Sequence, residues 1–110
     1  MVKRVGKKIG KKAGKKKLKK EAGLAEVFHA LGDPVRLSIV RQIHRNGEMP
    51  CNSFGLDMPK STLSHHFRVL RNSGVLGSRP EGTLLMNFLL ADQLNERFPG
   101  LLKSIVESLR

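Results

Sequence analysis

Ser61, His65, Arg68 and Asn72 recur at a spacing of four, three and four residues, so a helix through them carries all four on one face. Lys60 and Thr62 flank the start of that row, and Ser64 and Arg71 border it. Hydroxyls and guanidinium groups hydrogen-bond to base edges, while lysines and the free backbone amides of a helix start hold phosphates. The row contains no carboxylate, so nothing in it repels a polyanion. Its chemistry suits the grooves of a nucleic-acid duplex; taken alone it also suits an ordinary solvated helix face. His66 falls on the apolar side with Leu63, Phe67 and Leu70 and reads as a packed, structural histidine. His29 and His44 have no partner pattern that suggests chemistry. Cys51 reads as a small residue in a tight helix start, or as a lone redox thiol.

Elements on either side must position this row. Leu24, Val27, Phe28 and Leu31 have helical spacing and predict a first amphipathic helix ending near Gly32. Asp33-Pro34 predicts the next helix start, with Asp33 as N-cap and Pro34 in the first position. Val35, Ile39, Val40 and Ile43 give that helix its apolar stripe, and Asn46-Gly47 should stop it. Residues 48–58 are short and mixed, with Phe54 and Leu56 placed to anchor a brief third helix. Met58-Pro59-Lys60-Ser61 then turns into the helix of the polar row, which Gly74 ends. Residues 75–79 and 83–90 read as two strands joined at Pro80-Glu81-Gly82, a β-hairpin. A last helical stretch begins near Asp92 and is interrupted at Pro99. The fold class is therefore mainly α with a small β-hairpin (α+β), and helix, turn, helix and hairpin in that order make a winged helix-turn-helix.

Charge is segregated along the chain. Lys and Arg number 21 against 9 Asp and Glu, a formal net charge of +12. Residues 1–20 hold eleven of the basic residues and no acid, leaving residues 21–110 at a net +1. Val5, Ile9 and Ala13 each open a Gly-Lys-Lys repeat whose glycines disfavour a helix. Residues 1–20 read as a disordered Lys-rich arm, either a solubilising extension or a phosphate-binding arm, and residues 21–110 as one domain. One cysteine allows no intrachain disulfide, which suits the cytoplasm. No apolar run approaches the roughly 20 residues of a membrane span. Paired carboxylates, a nucleophile with its base, and a phosphate-cradling glycine loop are all missing from the pattern, so no enzyme is expected.

Three stretches together resemble the ArsR family of winged-helix repressors: residues 28–37 with Leu-Gly-Asp-Pro-x-Arg, residues 60–76 with Ser-x-x-Ser-x-His, and Glu81-Gly82. The Arg97-Phe-Pro-Gly-Leu-Leu102 stretch resembles a subset of it. The resemblance spans residues 24 to about 106. It implies a homodimer built on the first and last helices, with Leu24, Phe28, Phe98, Leu101, Leu102, Ile105 and Leu109 at the interface. It implies that Lys60, Ser61, Thr62, Ser64, His65, Arg68 and Arg71 meet double-stranded DNA, with Arg79 reaching it from the hairpin wing. Two such reading helices would sit in successive major grooves about 34–36 Å apart, and occlusion of a promoter would repress it. The metal chemistry of the family does not carry over. Its sensors place Cys-x-Cys near the third helix or Asp and His on the last one, whereas this chain has Cys51 alone and no His after His66. No cofactor or metal is expected, and a small-molecule or redox effector is left open. Two other readings stand beside this one: a winged-helix protein–protein module, and non-specific nucleic-acid binding through the Lys-rich arm.

Overall fold

A computed structural model describes residues 23–110. Helix α1 covers residues 23–31, and α2 runs from Pro34 to Asn46. The link between them is set by Asp33, whose backbone is extended (φ −142°, ψ 131°). Its carboxylate accepts from the backbone N–H of Val35 at 2.9 Å and of Arg36 at 3.1 Å. Those are orphan donors of a helix start, and Pro34 has no N–H to orphan. Partial burial opposes ionisation of Asp33, but the two N–H bonds and the nearby Arg36 guanidinium outweigh it. Its carboxyl is held below the usual aspartate range.

After α2 the chain makes a two-residue strand β1, Met49–Pro50, and a 3-10 turn, Cys51–Ser53. The third helix expected around Phe54 and Leu56 is reduced to that turn; residues 54–59 are irregular. Gly55 sits at φ +66°, a left-handed conformation that ends helical growth, and Pro59 blocks it again from the other side. Phe54 is held instead by the core, edge-to-face on Phe67 with centroids 5.3 Å apart.

Helix α3 covers Lys60–Asn72, followed by strands β2, Leu76–Glu81, and β3, Leu84–Leu89. The sheet is antiparallel in the order β1-β3-β2. Glu81 pairs with Leu84, so the hairpin is longer than its sequence suggests and turns on two residues, Gly82 and Thr83. Gly82 has φ +64°, as the first position of the two-residue hairpin turns of types I′ and II′ requires. Pro80 is accommodated because β2 is an edge strand. The pairing of β1 with β3, Met49 opposite Asn87, adds a third strand that the sequence pattern does not announce. Asn87 is fully buried, and its side-chain N–H group donates to the Met49 carbonyl at 3.2 Å and contacts Cys51 Sγ at 3.2 Å. Its Oδ1 has no partner among the described residues.

The last helical stretch is broken as expected at Pro99: α4 covers Ala91–Arg97 and α5 covers Leu101–Ser108. The core joins Val27 and Ala30 of α1, Ile39, Val40 and Ile43 of α2, Phe67 and Leu70 of α3, and Val75 and Leu76 at the hairpin. Leu94, Phe98 and Leu102 close it from the C-terminal end. Each large apolar side chain fully buried in this way contributes about 2 kcal/mol.

Candidate nucleic-acid interface

Helix α3 is amphipathic for a reason legible residue by residue. Phe67 and Leu70 are buried and Leu63 is half-buried, so the helix is anchored along one stripe. Rotation about that stripe leaves Ser61, His65, Arg68 and Asn72 exposed on the opposite face, with Thr62 beside them. Lys60 and Ser64 are exposed on its flank and Arg71 is half-buried there. Neither Lys60, Arg68 nor Arg71 forms an ion pair among the described residues. The start of α3 adds to this positive surface. Pro59 precedes it without a side-chain cap, and no acidic residue lies in the first turn. The first backbone N–H groups therefore point outward with the positive end of the helix dipole, an arrangement that receives phosphate oxygens.

The opposite side of α3 is tied to the rest of the chain by Arg36, which the sequence pattern does not mark as functional. Its side chain is only 7% exposed. Nε donates to the Ala30 carbonyl at 2.7 Å and Nη2 to the His29 carbonyl at 3.3 Å. These carbonyls close α1, where no intrahelical donor is available and a cation is favoured. Nη1 lies 3.0 Å from His66 Nδ1. An arginine nitrogen can only donate, so Nδ1 accepts and the neutral ring carries its proton on Nε2. Asp33 Oδ2 lies 3.8 Å from the same ring nitrogen. The Asp-Pro-x-Arg run thus caps α2, caps the end of α1, and reaches His66 on the inner side of α3. His66 is placed as a structural residue, while His65 next to it is exposed.

The wing differs from the rest of the candidate surface. Arg79 is its basic residue, and both ends of its guanidinium are taken. Nη1 donates to Glu81 Oε1 at 2.7 Å and Nη2 to Glu48 Oε1. These two carboxylates hold Arg79 in its charged form, its pKa raised first by the Glu81 bond and then by Glu48. They also cancel its field, and the hairpin further exposes Leu84 and Leu85. The structure therefore pairs Arg79 within the wing, whereas Lys60, Arg68 and Arg71 form no ion pair among the described residues.

The residues expected at a subunit interface divide in two. Phe98 and Leu102 are 8% and 9% exposed and belong to the chain's own core, which leaves them little surface to offer a partner. Phe28, by contrast, projects from α1 with 55% of its surface exposed. Leu24, Leu101, Ile105 and Leu109 are half-buried. The Lys-rich arm, residues 1–20, lies outside the described residues. Among the described residues no three His, Cys, Asp or Glu side chains gather as a metal site, and no helix is long and apolar enough to cross a membrane.

Comparison with known proteins matches residues 31–79 to a family model described as a helix-turn-helix domain. That span holds Asp33, Arg36 and the whole of α3. An uncharacterized HTH-type transcriptional regulator of Methanocaldococcus jannaschii is 38% identical over 74 residues, covering 66% of this chain and 83% of the relative. The uncharacterized HTH-type transcriptional regulator YceK of Bacillus subtilis is 32% identical over 84 residues, covering 74% and 84%. Among solved structures, an ArsR-like transcriptional regulator from Rhodococcus sp. RHA1 superposes with a TM-score of 0.63 at 26% identity, covering 82% of this chain and 86% of that one. HlyU from Vibrio cholerae shares the fold, with a TM-score of 0.63 at 23% identity over 81% and 89% of the two chains.

Proposed function

The chain belongs to the ArsR family of helix-turn-helix transcriptional regulators, and from that premise we propose that it is a sequence-specific repressor acting as a homodimer. DNA-binding transcription regulation is the family's function; the reader, the assembly and the sign are the added reading. The observation that carries it is the exposed row Ser61, Thr62, His65, Arg68 and Asn72 on a helix locked from behind by Phe67, Leu70 and the Arg36–His66 contact. Arg68 and the short hydroxyl side chains read base edges in the major groove. Lys60, Arg71 and the open start of α3 hold phosphates on either side. The wing makes little electrostatic contact, and the Lys-rich arm supplies phosphate neutralisation in its place. The reading assigns no catalytic step, cofactor or metal, and it places the protein with its DNA in the cytoplasm.

Phe28 of α1, with α5, forms the subunit contact in this reading. An aromatic ring more than half exposed on a short helix is the side chain there that gains most from a partner. Phe28→Asp is expected to give a folded monomer by sedimentation and to abolish paired half-site binding. A Phe28→Asp chain that sediments as a dimer would exclude α1 from the interface.

Removal of residues 1–20 tests the arm. Eleven basic residues leave with it. If the arm neutralises phosphates, the salt dependence of binding flattens, by about 0.9 in log–log slope for each phosphate that is no longer neutralised, while the preferred duplex stays the same. An unchanged slope would make the arm a bystander. Abolition of all binding would make it the only DNA-binding part and leave α3 without a role in recognition.

A further inference from the structure

Where the third helix fails to form, a cavity of about 410 Å³ opens between residues 51–60 and the flank of α3. Its volume falls within the roughly 300–1,000 Å³ range of small-molecule sites. Phe54, Leu56, Met58 and Phe67 provide an apolar floor, and Leu85 of the wing forms one wall. Arg71 and Lys60 are its charged lining residues, and no carboxylate lines it. They lie eleven residues apart on α3, about 16 Å along the axis, so the cavity runs the length of the helix. Arg71 is half-buried and free of ion pairs among the described residues, which presents a planar fork of donors at one end of an apolar trough.

We propose that this cavity binds an effector, an organic anion with an apolar body, whose carboxylate pairs with Arg71 while its body lies over Phe54 and Phe67. Charge complementarity selects the anion: two cations and no carboxylate line the trough, with Asp57 exposed outside its lining, and a cationic or neutral amphiphile gains nothing from Arg71. The consequence rests on the proposed function. Lys60, Ser64 and Arg71 line the cavity and also flank the DNA-reading row, so ligand and duplex draw on the same groups. Each therefore weakens the other by the same factor, and the ligand acts as an inducer.

Cys51, the chain's single cysteine, lines the cavity beside Asn87 and reports on occupancy. Decanoate should slow alkylation of Cys51 by iodoacetamide in the intact chain with saturable dependence, decanol only weakly, and decylamine not at all. Arg71→Gln should weaken decanoate about tenfold, the effect of one charge-assisted pair, and leave decanol unchanged. Met58→Trp fills the trough and should abolish decanoate binding by calorimetry, with duplex affinity retained. In the wild type, saturating decanoate should release bound duplex. No protection by decanoate, equal protection by decylamine, or protection without duplex release would overturn the proposal. A chain that binds decanoate but no duplex in its absence would instead sink the regulator reading, and the alkylation result would still stand.

Discussion

Arg36→Met will destabilise the folded chain by about 3 kcal/mol, the cost of breaking a buried charge network by removing one partner. Methionine keeps most of the side-chain volume, so the effect is electrostatic and does not come from a cavity. The carbonyl of Ala30 and the Nδ1 of His66 lose the Arg36 donor at once, and the carbonyl of His29 keeps only the Gly32 N–H at 3.2 Å. Each buried acceptor left unmade costs about 1–3 kcal/mol, partly relieved by water entering from the exposed end of α1. Asp33 keeps its two backbone N–H bonds but not the adjacent guanidinium charge. Arg36→Lys retains the charge but cannot span three acceptors and should recover less than half of the stability. Urea denaturation measures both variants. A change below about 1 kcal/mol for Arg36→Met would mean that water satisfies these groups equally well and that the network is not structural.

Arg68→Ala will lower affinity for the preferred duplex by about 1–3 kcal/mol per half-site, the value of a good bidentate contact to a base edge, and will leave affinity for arbitrary duplex DNA nearly unchanged. Arg68 is exposed, unpaired among the described residues, and central in the row on α3. Truncating it alters no packing, so folding stability should hold and any weakening of binding belongs to the contact. Arg79→Ala is the matched control. Its guanidinium is already engaged by Glu81 and Glu48, so it has no free donors for a base edge. Its removal uncovers those two carboxylates and should weaken preferred and arbitrary duplexes by a similar factor, with sequence preference retained. Equal effects on preferred and arbitrary duplexes would reduce Arg68 to a phosphate contact. A larger loss of sequence preference at Arg79 would move recognition to the wing.

Much of the fold is legible in the sequence because its signals are local. Asp33 and Pro34 announce a helix start within two residues, and Pro99 announces a break. The exposed row on α3 follows from the spacing of Leu63, Phe67 and Leu70, which dictates which side faces out. What stays hidden depends on contacts between residues distant in sequence. Arg36 looks like a surface arginine until the fold brings the end of α1 and His66, thirty residues away, around it. Two residues of β1 carry no periodicity, so its pairing with β3 through Asn87 is invisible along the chain. Phe98 and Leu102 share one apolar stripe with Ile105 and Leu109, and a stripe cannot show which of its members the chain covers itself. The reduced third helix is an intermediate case: Phe54 and Leu56 suggest a helix, yet the left-handed backbone at Gly55 and the ring of Pro59 decide against one.

Recognition by α3 across a two-fold axis can be put to a single trial: selection of duplexes from a random pool by the intact chain, at near-physiological salt. Two such helices predict an enriched inverted repeat. Its half-sites should be centred one helical turn apart, about 10–10.5 base pairs, and Arg68→Ala should remove the preference at the base position that Arg68 contacts in each half-site. A pool bound without sequence preference, its affinity governed by salt alone, would contradict the proposed reading helix and leave the basic residues as the sole source of binding.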